Sequence, residues 1–363
     1  MNIVGKITGI KYKVLLSENL KEIDLINFDI NEIPTSCLVN NNQNTFAISK
    51  WVSPKRTRSY PFERVFNTLN ISKKITAIPI VKDEGAKGDR DFIQWDTVSL
   101  MSLLDVFIIF AYYVKADKKN QKITNQQFDN NYILLKIKEI EEYHSSALHW
   151  NLNELNSNLH NIIDQVKDCY TNIEKTTGVK LHSSIGLDNF KEKIGKDVSL
   201  FMVFSRGKAE QAQAREFVTF QPKESLSTLS KAKVTITNYL GGQYFLTVDE
   251  ILLTKDKVSL IEGKHSKNAI LPSKGDIKDG LLKMILYCNL SEITANGQKI
   301  KSEAVLSLTS SKLKGAINST STKKEISLFF DENNFSTTQK ALIETVIAEA
   351  NQNKFIIQIQ HSK

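Results

Sequence analysis

The spacing of apolar and polar positions changes several times along the chain, and each change predicts a different element. In the first third, short apolar runs separated by polar turns predict strands and short helices. The predicted strands cover residues 3–16, 45–52, 75–81 and 106–114, and the predicted helices cover 60–69 and 98–104. The last of these strands is almost entirely apolar, which is typical of a strand covered on both faces. We therefore expect an N-terminal α/β domain over residues 1–120.

The middle of the chain is first polar and then helical in pattern. Residues 115–130 are rich in Lys, Asn and Gln and contain neither Gly nor Pro, which indicates a linker between domains. From Tyr132 to Lys175 apolar residues recur at intervals of three and four, which predicts helices. A linker and helical segment is accordingly expected over residues 121–195.

In the last part of the chain, segments with the two-residue period of strands alternate with segments that have the 3.6-residue period of helices. Its pattern predicts a strand over 233–238, a β-hairpin over 244–266 and later strands over 303–308 and 355–360. It also predicts helices over 197–217, 276–290 and 337–350, the second of them amphipathic with Lys278 and Lys283 on its outer face. This order predicts a mixed sheet flanked by helices over residues 196–363, so the fold class expected for the whole chain is α/β with two domains.

The predicted hairpin carries ionisable residues inside apolar strands. Glu262 and Lys264 lie two residues apart and therefore point to the same face, with Gly263 between them. A carboxylate and an ammonium on a buried strand are costly unless they pair or hold a metal. A second carboxylate from the neighbouring strand would complete a site for a hard divalent cation. Asp249 and Glu250 face opposite sides, so only one of them can join Glu262. We expect Asp249, because Ile251 and Leu253 on its face continue the apolar stripe beneath the site.

Asp249 followed by Glu262-Gly263-Lys264 resembles the signature of the PD-(D/E)xK nuclease superfamily. The run from His265 to Met284 is more specifically similar to type II restriction endonucleases of that superfamily. Val248 stands where the family often has proline. The resemblance implies a Mg2+-dependent, sequence-specific endonuclease that acts on double-stranded DNA.

The resemblance also implies roles for individual residues. Asp249, Glu262 and the backbone carbonyl of Gly263 would hold Mg2+, and Lys264 would orient or help deprotonate a water molecule and stabilise the transition state. A helix ahead of the core strands often contributes a further acid in this family. Glu210 is favoured for this role over Glu216, although either is also readily interpreted as a surface glutamate.

The net charge of the chain gives partial support to a nucleic-acid partner. The chain has 363 residues, with 48 Lys and Arg against 40 Asp and Glu, for a net charge of +8. This balance suits a polyanionic partner, but a lysine-rich composition from a low-GC genome explains it equally well. The side chains expected to contact DNA are Lys55, Arg56 and Arg58 in a loop before a helix, and His265, Lys267, Lys274 and Lys278 after the signature. A solvated basic loop is an equal alternative for the first three.

A cluster of acids in the N-terminal part offers a second place for chemistry. It comprises Asp83, Glu84, Asp89, Asp91 and Asp96. A second metal site would need an acid two residues before Lys115, and Tyr113 stands there instead. We therefore favour a structural loop whose acids pair with Lys82, Lys87 and Arg90.

Other features narrow the functional classes. The three cysteines lie far apart, which argues against a disulfide framework or a zinc site. The first residues lack a signal-peptide pattern, and the longest apolar run is too short to span a bilayer, so a cytoplasmic protein without a membrane partner is expected. A homodimer and a companion DNA methyltransferase in the host follow from the restriction hypothesis. The alternatives are a structure-specific repair or recombination nuclease, and a catalytically inactive DNA-binding protein on the same fold.

Overall fold

A computed structural model describes residues 2–41, 44–54, 60–194, 198–205, 232–238, 243–254 and 256–362. The chain divides into two compact units. The central unit is Asn19–Thr219, and the terminal unit combines Met1–Glu18 with Phe220–Lys363. The division differs from the expected boundaries near residues 120 and 196, because the first 18 residues group with the C-terminal part and the helical segment groups with the N-terminal sheet. The chain is α/β, with mixed sheets and helices, as its pattern predicts.

The central unit is built on a five-stranded sheet of order β2-β3-β4-β5-β8. The strands are β2 (Lys21–Asp24), β3 (Ser36–Asn41), β4 (Asn44–Lys50), β5 (Lys74–Pro79) and β8 (Val106–Ala111). The pair β3–β4 is antiparallel, and β4, β5 and β8 run parallel. Every residue of β8 is buried, which confirms the prediction of a strand covered on both faces.

Helices in the central unit follow the predicted periodicity. A 3-10 turn (Leu25–Asn27) precedes α1 (Tyr60–Phe66), α2 (Trp95–Leu103), α3 (Asn130–Glu141), α4 (Ala147–Ser157), α5 (Leu159–Thr177), α6 (Ile185–Ile194) and a helical stretch, α7, over residues 198–205. Asp129 caps α3 by accepting a hydrogen bond from the Tyr132 amide. Helix α5 ends at Gly178, whose φ of 65° is the left-handed conformation that favours glycine.

Two small hairpins complete the central unit. They are β6 (Val81–Asp83) with β7 (Arg90–Phe92), and β9 (Tyr113–Lys119) with β10 (Lys122–Phe128). The second hairpin corrects the expected linker over 115–130. Its two-residue turn contains no glycine, but Asn120 adopts a φ of 57°, which asparagine tolerates better than most residues.

The terminal unit contains two five-stranded sheets. The first has the order β12-β11-β1-β15-β16 and is formed by β1 (Asn2–Ile7), β11 (Ala232–Asn238), β12 (Gln243–Val248), β15 (Ser291–Ala295) and β16 (Gln298–Lys299). The strand expected over 3–16 ends at Ile7. Beyond it the backbone is held by side chains instead of a ladder, since the amides of Leu15 and Leu16 each donate to Glu349 Oε2 at 2.8 Å.

The second sheet of the terminal unit has the order β13-β14-β17-β19-β18. It comprises β13 (Glu250–Leu253), β14 (Lys257–Ser266), β17 (Lys301–Ser310), β18 (Ala316–Asn318) and β19 (Ile356–His361). The helices are α8 (Lys274–Cys288), α9 (Lys323–Glu332) and α10 (Thr337–Asn353). Strands β14, β17 and β19 are parallel, and β13 and β18 run antiparallel to their neighbours.

The first strand of the predicted hairpin is split between the two sheets. Residues up to Val248 belong to β12 and pair with β11, whereas residues from Glu250 onward belong to β13 and pair with β14. The chain bends at Asp249 between them. Asp249 therefore lies at the point where the chain passes from one sheet to the other.

No helix in the described part of the chain is both long and apolar enough to cross a membrane.

Candidate functional site

Glu262 is the buried centre of the candidate site. It lies on β14 on the same face as Val258 and Leu260, both fully buried, and only 1% of Glu262 is exposed. Helix α8 packs against this face, where a Cβ added to Gly280 would lie 2.6 Å from Leu306 Cδ1 and 3.4 Å from Lys264 Cε. The alternation that buries the apolar residues of β14 therefore also buries this carboxylate beneath α8.

Two lysines neutralise Glu262. Lys264 follows it on the same face of β14, with its Nζ 3.0 Å from Glu262 Oε1. Lys283 reaches it from α8, and its Nζ lies 2.7 Å from each carboxylate oxygen. Lys264 also pairs with Asp279 of α8. Asp279 and Lys283 are four residues apart and so share one face of the helix.

Asp249 joins the cluster from the bend before β13. The pairing of β13 with β14 ends at Glu250 and Ile261, and beyond that point the Gly263 amide donates to Asp249 Oδ2 at 3.1 Å. A strand residue directs its N–H and C=O to the same edge. The Gly263 carbonyl is therefore on the edge that β13 leaves and Asp249 occupies.

Burial and neighbouring charges set the protonation states. Burial raises the pKa of Glu262; the ammonium of Lys283 opposes this shift, the carboxylate of Asp249 adds to it and the ammonium of Lys264 opposes it. Burial alone would lower the pKa of Lys264, but the carboxylates of Glu262 and Asp279 more than compensate and raise it above its usual value. Lys264 is therefore protonated at neutral pH.

The oxygen atoms of this cluster are of the chemical type that binds a hard cation. Two carboxylates and a backbone carbonyl are oxygen ligands of the sort that Mg2+ prefers. Within the described ranges no three His, Cys, Asp or Glu side chains are grouped as a ready-made metal site. The residues thus fit Mg2+ chemically, but Glu262 is engaged by Lys283 at both of its oxygens.

The structure brings Asp249, Glu262, Gly263 and Lys264 into contact with one another. One argument for choosing Asp249 was wrong: Leu253 was expected to continue an apolar stripe, yet it is 50% exposed, while Ile251 is buried. Strand β13 is the outer strand of its sheet and ends beside Leu253, which explains the exposure.

The residues expected to contact DNA after the signature differ in accessibility. His265 and Lys267 are exposed, and His265 Nδ1 lies 2.9 Å from Thr309 Oγ1. Lys274 is exposed and pairs with Glu18 at 3.3 Å. Lys278 was expected on the outer face of the helix, but it is fully buried with its Nζ 2.7 Å from Glu18 Oε1. This prediction was wrong because α8 is covered on nearly all sides.

Several predicted residues lie outside the described part of the chain. They are Lys55, Arg56, Arg58, Glu210 and Glu216.

Asp279 and Lys283 are the members of the cluster that sequence reasoning missed. Lys283 was assigned to the outer face of an amphipathic helix. One feature of the sequence could have indicated both residues: Asp279 precedes Lys283 by four positions, which places an acid and a lysine on the same face of a helix. This signal also fits an exposed surface pair, so it becomes informative only once both faces of α8 are known to be buried.

The acidic loop of the central unit is organised as a structural feature. Asp83 is 1% exposed and accepts hydrogen bonds from the Gly85 amide and from His182 Nδ1, each at 2.8 Å. Glu84 pairs with Lys82 at 3.0 Å. For Asp83 and Glu84 these contacts agree with the interpretation of a structural loop, whereas Lys87, expected among the partners, makes no ion pair within the described ranges.

Comparison with known proteins gives no match among family models, curated proteins or solved structures.

Proposed function

We propose that the terminal unit carries the catalytic site of a Mg2+-dependent DNA endonuclease of type II restriction type. The observation that carries the proposal is the meeting of Asp249, at the bend before β13, with Glu262 and Lys264 of β14, with Glu262 almost fully buried. These groups at this spacing are suited to holding a divalent cation beside an anionic phosphate. The order of strand pair, helix and parallel strand agrees with the core that the PD-(D/E)xK resemblance implies.

Asp249, Glu262 and the Gly263 carbonyl would hold the ion. When bound, Mg2+ supplies a Lewis acid for the phosphate and lowers the pKa of a bound water. Lys264 contributes positive charge where phosphodiester hydrolysis accumulates negative charge. Because the carboxylates of Glu262 and Asp279 raise the pKa of Lys264, we assign it an electrostatic role.

Lys283 gives this site a resident counter-charge. With its Nζ 2.7 Å from both oxygens of Glu262, it must withdraw from the carboxylate when a divalent ion binds there. Lysine suits such an exchange, since its ammonium is a point charge on a flexible stem. The withdrawn ammonium is then free to approach the anionic substrate.

A restriction role extends the proposal to partners. A palindromic target would be addressed by a homodimer in which a two-fold axis places one site on each strand. A companion methyltransferase would protect host DNA, and both proteins would act in the cytoplasm. The basic loop with Lys55, Arg56 and Arg58 stays a proposed recognition element.

A catalytically inactive DNA-binding protein on the same fold is the second candidate. One observation favours it: Glu262 is neutralised by two lysines, so its charge is already balanced without a metal. This candidate predicts DNA binding with no cleavage in Mg2+.

Digestion of plasmid and phage DNA, with Mg2+ or with EDTA and with sequencing of the fragment ends, tests the proposal. We expect Mg2+-dependent fragments whose ends share one sequence. Ends at branched or single-stranded DNA without a shared sequence would identify a structure-specific nuclease. Binding without cleavage would identify the inactive candidate, and neither binding nor cleavage would reject all three.

A further inference from the structure

The central unit contains an open groove of about 830 Å³ beside the β9–β10 hairpin. Both strands of the hairpin and its turn line the groove, together with residues of the β6–β7 hairpin and Val52. No part of the candidate nuclease site contributes to it, because that site belongs to the terminal unit.

The groove is strongly basic. Four lysines line it, whereas Glu84 is the single acid among its described lining residues, and Glu84 is paired with Lys82. The other three lysines, Lys87, Lys119 and Lys122, are exposed, and no ion pair is found for them within the described ranges. The ammonium groups of these three lysines are therefore available to an anionic ligand.

Two of these lysines face each other. Lys119 and Lys122 are directly opposite across the hairpin, on either side of its two-residue turn. Like charges at such a position destabilise a hairpin. Their presence is unfavourable for folding and favourable for holding an anion between them.

The uncharged residues of the groove narrow the identity of that anion. The turn residues Asn120 and Gln121 are exposed and present amides, each able to donate and accept hydrogen bonds, whereas the apolar lining residues Tyr113 and Ile123 are buried. Ammonium groups match phosphates, and amides match base edges and sugars. An acidic polypeptide would use the lysines but has less need of this mixture.

We propose that this groove binds the phosphodiester backbone of a nucleic acid, with phosphates against Lys87, Lys119 and Lys122. The groove provides a contact surface on the central unit that is independent of the metal and of cleavage. It therefore adds to the proposed endonuclease a second DNA contact, and it would equally serve an inactive DNA-binding protein.

Binding in EDTA tests the groove without the complication of cleavage. Fluorescence anisotropy with a labelled DNA duplex, and separately an RNA duplex, is measured over a salt series for wild type and K119Q/K122Q. Loss of two phosphate contacts should reduce the slope of log affinity against log salt by about two. The duplex with the larger change identifies which nucleic acid the groove takes.

The matched control is K21Q/K138Q, which removes two exposed lysines of the same unit that do not line the groove. It should retain the wild-type slope, and melting temperatures should be preserved in both variants. Equal losses in the two variants, or an unchanged slope in K119Q/K122Q, would overturn the proposal. So would groove-dependent binding of poly-glutamate without groove-dependent binding of either duplex.

The outcome is separable from that of the proposed nuclease. E262Q should bind the duplex in EDTA with the wild-type salt slope, because Glu262 does not line the groove. If the protein cleaves DNA but K119Q/K122Q keeps the wild-type slope of log affinity against log salt, the nuclease proposal stands and the groove proposal is wrong. If the protein binds nucleic acid through the groove but never cleaves it, the groove proposal stands and the nuclease proposal is wrong.

Discussion

Two of the acids that this protein buries almost completely, one in each unit, are held in different ways. Asp83 in the central unit and Glu262 in the terminal unit are each 1% exposed. Asp83 accepts hydrogen bonds from backbone amides, those of Gly85 at 2.8 Å and His182 at 3.3 Å, as well as from the His182 ring. Its partners are therefore largely fixed by the course of the chain.

Glu262 has only ammonium groups as partners within the described ranges, and a second carboxylate lies nearby. Lys264 and Lys283 contact it through long, flexible side chains, and Asp249 adds negative charge to its surroundings. A carboxylate held by backbone amides serves the fold, because nothing can replace those amides. A carboxylate held by lysines can exchange them for another cation, so the kind of partner distinguishes the two acids better than their burial does.

Substitution E262Q is expected to have the largest effect on function. The amide keeps the shape of the side chain but cannot hold a divalent ion, so Mg2+-dependent cleavage should fall by about 10³-fold or more. Single-turnover cleavage of a plasmid measures the rate. Anisotropy in EDTA and a melting curve check that DNA binding and folding persist.

A matched control for E262Q is K324Q, which changes an exposed lysine on α9 that is neither in the cluster nor among the residues expected to contact DNA. Its chemical step with saturating DNA should stay within about threefold of wild type. Cleavage by E262Q at the wild-type rate would remove Glu262 from the mechanism and with it the contrast between the two acids.

Substitution D83A should act on stability instead. Removing the carboxylate leaves the nearby Arg90 and the Gly85 amide without their buried acceptor, and the expected loss is about 3 kcal/mol in the free energy of unfolding. Urea denaturation measures it. The folded fraction should cleave DNA at the wild-type rate, and abolished cleavage with unchanged stability would contradict a structural role for Asp83.

The sequence predicts those features that depend on local periodicity. Strand alternation places Glu262 and Lys264 on one face, and the all-apolar run predicts the buried strand β8. The periodicity of α5 predicts its buried face in the same way. These are properties of a single element and need no knowledge of its neighbours.

What the sequence does not predict depends on packing between distant segments. The bend at Asp249 arises because β12 pairs with β11 and β13 pairs with β14, and neither partner is marked in the local pattern. Lys278 and Lys283 have the polarity of surface residues but are drawn inward by Glu18 and Glu262. The polar residues of β9 and β10 resemble a linker until the turn at Asn120 pairs them.

Substitution K283Q tests whether the lysine competes for Glu262. Without its ammonium the carboxylate has one cation fewer to exchange, so Ca2+ or Mg2+ binding at pH 8 should tighten by about tenfold, equivalent to about 1.4 kcal/mol. Calorimetry in the absence of DNA measures this directly. K324Q should leave the affinity unchanged. Weaker binding in K283Q would mean that Lys283 positions Glu262 for the metal instead of competing with it.

The smallest expected effect is on pH dependence, and its sign follows from burial. Burial raises the pKa of Glu262, so the folded protein holds this proton more tightly than the unfolded chain does. The ionised carboxylate therefore lowers stability above the raised pKa, and this cost disappears as pH falls through it. Ion binding has the opposite pH dependence, because it needs the ionised carboxylate. It should weaken as pH falls through the raised pKa of Glu262, which lies above the ordinary glutamate value of about 4.3, by at most about tenfold per pH unit.

Lys283 makes the pH prediction specific to this cluster. Its ammonium opposes the upward shift of the Glu262 pKa, so K283Q should move the acid loss of Ca2+ binding to higher pH. The same variant should bind the ion more tightly at alkaline pH, and its affinity profile should therefore cross that of wild type. Calorimetry over a pH series in two buffers of different ionisation enthalpy measures both the affinity and the protons released. Parallel profiles that never cross would show that Lys283 does not set the charge state of Glu262. Glu262 would then have no exchangeable lysine partner in Lys283, and the proposed difference from Asp83 would be wrong.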